Sequence, residues 1–332
     1  YMSIPYAQVA VKAILPALLY FTGIFIAVHL EAKKLGLKGM PKSEMVSWGE
    51  LAKRAYLIIP LALLIFLVSS GSRTMQFSAA VSILAAIVVG FLNKEERLTF
   101  GKIVEALEAG AKGAITVAVA CAMAGMIAGC ITVTGLASIL INAIVQAAGD
   151  ATIIGLALTM ICCIVLGMGV PTTANYCIMA STCAPILVQM GFPVVAAHFF
   201  VFYFGIVADI TPPVALAAYA GAAIAKANPM KTGFNATKLA IAAFVVPYIF
   251  AYSPAMLFEN VSGPFAVVQI VISALLGLFG IAAALNGYLY KKIPVLFRLA
   301  LVAGGLGMMI PGTVSDVAGL IVVGGIVLIQ RM

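Results

Sequence analysis

Hydrophobic residues run along this chain in long stretches rather than in alternation with polar ones. Several stretches have roughly the length that a helix needs to cross a bilayer core, about 20 residues. They cover residues 7–29, 55–70, 77–92, 236–258 and 264–289. Barrel strands would instead alternate polar and apolar residues in segments of about ten. The pattern therefore predicts an all-α polytopic membrane protein.

Composition supports this prediction and narrows the class further. Hydrophobic residues make up 64% of the 332 residues and charged residues only 9%, whereas soluble domains carry about 25% charged residues. The net charge of +8 comes from basic residues in the loops between apolar stretches, which is typical of membrane topology and not of a nucleic-acid interface. The six cysteines lie in apolar sequence without CxxC spacing, so we interpret them as packing residues rather than metal ligands.

The basic residues also predict the orientation of the chain. If the segment at about 152–190 enters and leaves the membrane on the same side, every lysine and arginine except Lys12 and Arg73 lies on one side. These residues lie in the loops 30–54, 93–112 and 226–238, in the turn at 291–298, and at 331. The positive-inside rule makes that side cytoplasmic, including the C-terminus.

The same segment is too short to cross the membrane twice. Its apolar arms, 153–167 and 175–188, flank the motif GMGVPTTANY. Each arm has about 14 residues and measures about 21 Å as a helix. We therefore predict a re-entrant hairpin whose tip, with its free backbone groups, is buried in protein or lines a cavity.

Three interruptions place threonine beside glycine or proline in a region, 113–225, that has no lysine, arginine or glutamate. They are GCITVTG (129–135), GMGVPTTAN (167–175) and ADITPP (208–213). Opened helices present carbonyl and side-chain oxygens to a hard cation, and half-helix N-termini to an anion. The alternative is a kink repaired by threonine hydroxyls, which is the favoured interpretation of GCITVTG by itself.

Asp209 is an ionisable residue deep in an apolar run, which indicates coupling-ion binding or a proton relay. The alternative is that Asp209 or Thr211 caps a second half-helix beginning at Pro212 and Pro213, and the two roles are compatible. Asp150, at a predicted turn, is interpreted as a turn or cap residue.

The remaining polar residues favour structural roles. His29 is expected at the membrane interface, and His198 in packing or at the surface rather than in proton transfer. In SEMVSWGELAKR, Ser47 is expected to cap a short interfacial helix with Glu50 three residues on. The stretch 98–113 is interpreted in the same way.

Several segments together resemble the large membrane subunit of TRAP transporters, the DctM-like subunit. They are IPYAQVAVKAILPALLYF with HLEAKKLGLKG, LGMGVPTTANYCIMASTCAPIL, and ADITPPVALAAYAGAAIAKANP. The resemblance covers essentially the whole chain, and it is to the form that is fused to the small subunit and paired with a TAXI-type binding protein. The chain is similar to the C-terminal portion of such a permease.

That resemblance implies an elevator-type transporter built from two inverted repeats, each with a re-entrant hairpin and a discontinuous helix. This chain is similar to the second repeat with scaffold helices, so the first repeat and the small-subunit helices are expected upstream of Tyr1. The implied regions are a scaffold at 1–112, a transport region at 113–225 and C-terminal helices at 226–332. Within the transport region, the hairpin is expected at about 152–190 and the broken helix at about 193–225.

The resemblance also implies a substrate and ion site at the hairpin tip and the following break. The implied residues are Gly167, Gly169, Pro171, Thr172, Thr173, Asn175, Asp209, Thr211, Pro212 and Pro213, with Thr132, Thr134 and Gly135 as a possible third contribution. A transient Na⁺ is the expected coupling ion, with no resident metal or other cofactor. Asp209 departs from the TPP pattern of the wider family, and it favours H⁺ as the alternative ion in this branch.

We therefore predict the permease of a sodium- or proton-driven symporter in the lipid of a bacterial or archaeal cytoplasmic membrane. Its substrate is a small organic acid, a carboxylate or dicarboxylate, delivered by the periplasmic TAXI-type protein. The alternatives are an ion channel and an intramembrane enzyme. The nearest catalytic candidates, Ser181 and Asp209, have no partner base in the sequence, and the chain has neither HExxH nor a phosphate-binding glycine-rich loop.

Overall fold

The structure, a computed structural model, describes residues 1–41, 45–71, 73–93, 97–261, 263–310 and 312–332, the side chains of residues 116, 117 and 120 excepted. Lys42 and Lys94, two residues of the predicted basic loops, lie outside the described residues. Sixteen α-helices and no β-strand occur within those described ranges, which confirms the all-α prediction. The helices are α1 Tyr6–Lys34, α2 Trp48–Lys53, α3 Ile59–Ser69, α4 Met75–Leu92, α5 Phe100–Thr134, α6 Leu136–Ala148, α7 Thr152–Gly167, α8 Thr172–Thr182, α9 Ala184–Gln189, α10 Val194–Val207, α11 Leu216–Ile224, α12 Pro229–Leu239, α13 Ile241–Tyr252, α14 Pro264–Asn286, α15 Val295–Gly307 and α16 Thr313–Arg331.

Five helical segments in the described part of the chain are long and apolar enough to cross a membrane. They are Tyr6–Lys34, Met75–Leu92, Pro229–Tyr252, Pro264–Asn286 and Thr313–Arg331. The pair Cys121–Thr134 and Leu136–Ala148, bent by 73°, makes a sixth if it is one span. The prediction of a polytopic membrane protein is therefore confirmed.

Two predicted segments differ from the structure. The run at 55–70 forms an apolar segment of only 15 residues, a 3₁₀ turn at Ala55–Ile58 followed by α3, in which Pro60 occupies the first turn. This segment is shorter than a crossing helix. The stretch 98–113 is not a separate interfacial helix, because from Phe100 onward it is the beginning of the 35-residue α5. Its glycines do not end the helix, and no proline interrupts it.

One compact unit consists of Ser3–Val11 and Lys38–Ala118. Within this unit α3 packs against α4. The N-terminus of α4 is capped by Thr74, whose Oγ1 accepts a hydrogen bond from the Phe77 N–H at 3.3 Å. The predicted cap of α2 is also confirmed, since Ser47 Oγ accepts from the Glu50 N–H at 3.2 Å.

The other compact unit consists of Tyr1–Met2, Lys12–Leu37 and Val119–Met332. In this unit α14, α15 and α16 pack together, and the α1 residues Ala27 and Leu30 are buried in the same cluster. Gly277 and Gly305 let α14 and α15 touch through their backbones, because a Cβ added at either would lie 2.7 Å from the carbonyl oxygen of the other. Small residues commonly allow this approach between membrane helices.

Two ion pairs hold the part of α1 from Lys12 onward within this unit. Near its start, Lys12 Nζ lies 2.7 Å from Glu259 Oε1. Near its end, Glu31 Oε2 lies 3.4 Å from Lys238 Nζ of α12. Lys12 lies inside an apolar stretch of the sequence, and its charge is therefore paired with that of Glu259.

Helix α10 forms the centre of the unit and packs against α7, α8 and α13. Phe200 and Phe204 are fully buried, with ring centroids 4.8 Å apart. Tyr248 of α13 packs edge-on against Phe200 with a centroid distance of 5.4 Å. Large aromatic side chains account for much of the apolar surface in such contacts, so α10 is the element that positions the helices around it.

Candidate functional site

The motif GMGVPTTAN forms a turn between two helices. Helix α7 ends at Gly167 and α8 begins at Thr172. Gly169 has φ +73°, a left-handed conformation that glycine adopts without steric cost. Pro171 precedes the first helical residue with φ −56°, which suits a helix entry. The glycine and proline of the motif therefore break the helix where the sequence predicts.

The two arms that flank this turn lie side by side as a helical hairpin. At the open end, Gly155 of α7 lies against the side chain of Met190, just beyond α9. In the middle, the Sγ atoms of Cys162 and Cys183 are 3.7 Å apart. The second arm bends at Cys183, between α8 and α9. The turn 168–171, which we call the hairpin tip, is thus the closed end of the hairpin.

Asn175 connects the hairpin tip to α10. Its side chain is buried, with 3% exposure. The Nδ2 group donates to the Gly205 carbonyl oxygen at 2.9 Å. The Oδ1 atom has no hydrogen-bond partner in the part of the chain that the structure describes. A buried acceptor without a partner is costly, so the Asn175 Oδ1 atom is an unsatisfied hydrogen-bond acceptor.

Two glycines make this contact possible. A Cβ added to Gly167 would lie 2.8 Å from Asn175 Nδ2 and 3.0 Å from the Gly205 carbonyl oxygen. A Cβ added to Gly205 would lie 2.9 Å from Met179 Sδ and 3.1 Å from Asn175 Nδ2. Gly205 was not identified from the sequence, where its only signal is a single glycine in the aromatic run FFVFYFGIV.

The second interruption, ADITPP, begins where α10 ends. A 3₁₀ turn at Ala208–Ile210 follows α10, and α11 begins only at Leu216. No side chain of a described residue caps α11, and Thr211 Oγ1 instead donates to the Val207 carbonyl at 2.7 Å. The predicted cap by Asp209 or Thr211, with a helix starting at the two prolines, is therefore wrong. Proline disfavours the helical conformation in the residue that precedes it, and for this reason the helix begins beyond Pro213.

Two carbonyls of this interruption have side-chain partners. The Ile210 carbonyl accepts from Thr237 Oγ1 at 2.9 Å, and the Pro213 carbonyl accepts from the Tyr219 hydroxyl at 2.6 Å. Side chains of α11 and α12 thus donate hydrogen bonds to carbonyl oxygens that the sequence predicts as cation ligands. Asp209 is half-buried and forms no hydrogen bond or ion pair with any residue that the structure describes. The Asp209 carboxylate is therefore a group of this interruption that could bind a cation.

The hairpin tip and the second interruption lie together. A Cβ added to Gly167 would be 3.1 Å from Ala208 Cβ, which places the end of α7 against the 3₁₀ turn. Thr172 and Thr173 are exposed in the first turn of α8. First-turn N–H groups of a helix lack intrahelical partners and carry partial positive charge. An unpaired amide oxygen, a free carboxylate and a helix N-terminus therefore lie around one end of the hairpin.

The third interruption has a different geometry. Gly135 has φ +69° and separates α5 from α6. The hydroxyls of Thr132 and Thr134 donate to carbonyls one turn earlier in α5, at 2.8 and 2.7 Å, and both residues are exposed. These local bonds match a kink repaired by threonine. Instead, α5 approaches the hairpin through Ala124, which packs with Ala174 of α8.

His198 has a packing role, as predicted. It is 7% exposed, and its Nδ1 lies 3.0 Å from the Tyr176 hydroxyl, a hydrogen bond that joins α10 to α8 beside Asn175. Ser181, the nearest candidate nucleophile, donates to the Ile178 carbonyl at 2.9 Å within its own helix. Among the described residues, no three His, Cys, Asp or Glu side chains come together as a metal site.

Comparison with known families identifies the chain more closely. The family model for the tripartite ATP-independent periplasmic transporter, DctM component, matches residues 1–279. No curated protein and no solved structure shows a significant match. The matched region contains the hairpin, the second interruption and most of α14, and it leaves α15 and α16 outside. The resemblance to the TRAP large membrane subunit is confirmed, and the chain belongs to the DctM family of tripartite ATP-independent periplasmic transporters.

Proposed function

We propose that this chain, as the permease component of a TRAP transporter, couples the uptake of a small carboxylate to a cation gradient at the hairpin tip. The observation that carries the proposal is Asn175. Its amide is buried, its nitrogen is fixed to Gly205, and its oxygen has no partner among the described residues. A side chain held in this way offers an oxygen ligand whose burial is unfavourable without a bound cation.

The same end of the hairpin also suits an anion. The N-terminus of α8 presents its first-turn N–H groups beside the Thr172 and Thr173 hydroxyls, which have no partner in the described residues. Carboxylates bind well at helix N-termini because of the free donors and the helix dipole. We therefore assign the carboxylate of the substrate to α8 and the cation to Asn175, so that each charge stabilises the other.

The proposed transport cycle is an elevator motion of the hairpin and broken helix against scaffold helices, with the hairpin re-entering the membrane from outside. The substrate reaches it from a periplasmic binding protein, a partner that the DctM family implies together with a small subunit. We propose the TAXI type for the binding protein. The basic loops face the cytoplasm in this arrangement, in agreement with the positive-inside rule.

Uptake into proteoliposomes tests the coupling. The protein is reconstituted with its small-subunit helices and binding protein, and candidate organic acids are supplied with a Na⁺ or an H⁺ gradient. We expect uptake only with one of the gradients and its loss when an ionophore collapses that gradient. If protons are the coupling ion, Asp209→Asn removes the pH dependence, because the amide cannot take up a proton. Uptake that ignores both gradients would exclude a coupled transporter.

Labelling tests the re-entrant hairpin. In a cysteine-depleted protein, Asp150→Cys and Gln189→Cys place thiols at the two open ends of the hairpin, where both residues are exposed. We expect a membrane-impermeant maleimide to label both from outside intact cells. Lys231→Cys, in a predicted cytoplasmic loop, is the control and should react only after permeabilisation. Labelling of Asp150→Cys and Gln189→Cys from opposite sides would show that the segment crosses the membrane.

A further inference from the structure

A cavity of about 220 Å³ with a mixed apolar and polar lining lies where α13 ends and where α14 and α16 begin. None of the residues assigned to the hairpin tip or the second interruption lines it. Its polar lining consists of Ser253, Gln269, Ser273, Thr313 and Asp316. The cavity therefore has oxygen donors of its own in an otherwise apolar region.

Among the described residues that line the cavity, Asp316 is the only one with a charged side chain. It lies in the first turn of α16, where the positive end of the helix dipole favours a negative charge. Gln269 Nε2 donates to its Oδ2 at 2.9 Å. Among the described residues, no lysine, arginine or histidine forms an ion pair with Asp316. A half-buried carboxylate with one neutral partner keeps an uncompensated charge, which a bound cation would offset.

Two buried serines point to a ligand independently of Asp316. Ser253 is 6% exposed and Ser273 is 7% exposed, and both line the cavity. Neither hydroxyl has a hydrogen-bond partner among the residues that the structure describes. Both hydroxyl oxygens are accessible from the cavity. Together with the Asp316 carboxylate they are therefore available to a ligand.

We propose that this cavity binds a small monovalent cation through Asp316, Gln269 and the two serines. All available ligands are oxygens, and hard cations prefer oxygen. A single carboxylate suits one positive charge, whereas Ca²⁺ sites in proteins commonly combine several carboxylate and carbonyl ligands. Liquid water takes about 30 Å³ per molecule, so the cavity also holds part of the ion's hydration shell. Na⁺, K⁺ and a primary ammonium ion share this chemistry.

The proposed site has a structural consequence. Asp316 lies beyond residue 279, where the family match ends, whereas the two serines lie within it. A bound cation would join α16 to the end of α13 and the start of α14. Because it binds only the folded protein, it should raise the unfolding temperature without taking part in transport.

Thermal unfolding of the purified full chain tests this site. The protein is heated in equal concentrations of sodium, potassium, methylammonium or choline chloride, and choline is the reference because its methyl groups keep its charge away from oxygen ligands. We expect at least one small cation to raise Tm by about 2–4 °C over choline at about ten times its Kd. Asp316→Asn should reduce this difference, because it removes the charge with little change of shape. Asp150→Asn, the same substitution at an exposed turn, should keep it.

Two further variants keep the test decisive. If Asp316→Asn does not fold, Ser273→Ala, which removes one oxygen ligand, should raise the Kd of the stabilising cation by about tenfold, the effect of losing about one polar contact. Asn175→Ala is the background for the same comparison, because a cation bound at Asn175 would itself raise Tm; in that background a small cation should still raise Tm over choline, and adding Asp316→Asn should remove the difference. Equal Tm values in all salts for Asn175→Ala, or a difference that Asp316→Asn leaves unchanged in that background, would overturn the proposal. Neither result bears on gradient-driven uptake, which is measured separately.

Discussion

Gly167→Ala should destabilise the protein by about 1–3 kcal/mol, the usual cost of adding a methyl group to a filled site. The new Cβ would lie 2.8 Å from Asn175 Nδ2, 3.0 Å from the Gly205 carbonyl oxygen and 3.1 Å from Ala208 Cβ. Two of these three neighbours form the hydrogen bond between the hairpin and α10. The tip must therefore move away from α10, and ion-coupled uptake should fall with the stability.

The control for this variant is Gly325→Ala in α16, where an added Cβ has no neighbour within 4 Å. Alanine is preferred over glycine in a helix by about 0.8–1.0 kcal/mol, so this variant should be slightly stabilised. The two substitutions thus differ in the sign of their effect on the unfolding temperature. A Gly167→Ala protein with normal stability and normal uptake would show that the contact between hairpin and α10 is not needed.

The double variant Thr172→Ala with Thr173→Ala should abolish ion-dependent uptake and leave membrane insertion intact. Both residues are exposed, and neither hydroxyl has a partner among the described residues, so their loss leaves no buried group unpaired. Hydrogen bonds to charged groups contribute about 1.5–3 kcal/mol each. Losing two of them from a bound carboxylate should reduce uptake by about a hundredfold or more.

Thr132→Ala with Thr134→Ala is the matched pair for this experiment. Both hydroxyls donate within α5, in the geometry of a repaired kink. We expect uptake within about twofold of the unmodified protein, since an exposed hydroxyl bonded inside its own helix contributes little free energy. Normal uptake by the Thr172 and Thr173 variant would refute the assignment of the substrate to α8. Loss of uptake only in the Thr132 and Thr134 variant would move the site to the bend between α5 and α6.

The backbone of the site follows largely from local sequence. Gly169 and Gly135 adopt left-handed conformations that glycine tolerates best, and Pro171 suits a helix entry. The steric preferences of these residues act within a few positions of the chain. This is why the breaks occur where the sequence predicts. At the consecutive prolines Pro212 and Pro213, the same local effect places the start of the next helix further along the chain than the sequence predicts.

The ligands of the site could not be predicted in the same way. The partners of Asn175 and Ile210 are 30 and 27 residues away in sequence, on α10 and α12. Hydropathy describes how apolar a segment is, and it does not show which helices touch. For this reason the sequence indicates free carbonyls in ADITPP, whereas Thr237 of α12 and Tyr219 of α11 donate to two of them.

By itself, the sequence determined that this is an all-α membrane protein and where most of its helices break, because apolar length, glycine and proline act locally. The resemblance of several motifs indicated the TRAP large subunit, which the family match confirms. The tertiary structure alone decided that the Asn175 side chain donates a hydrogen bond to the Gly205 carbonyl and that Asp209 has no partner among the described residues. It also decided that Gln269 donates to Asp316, 47 residues away in sequence, at 2.9 Å. These outcomes depend on which helices pack together. Close packing between distant segments selects the partners of a polar group, and local preferences do not.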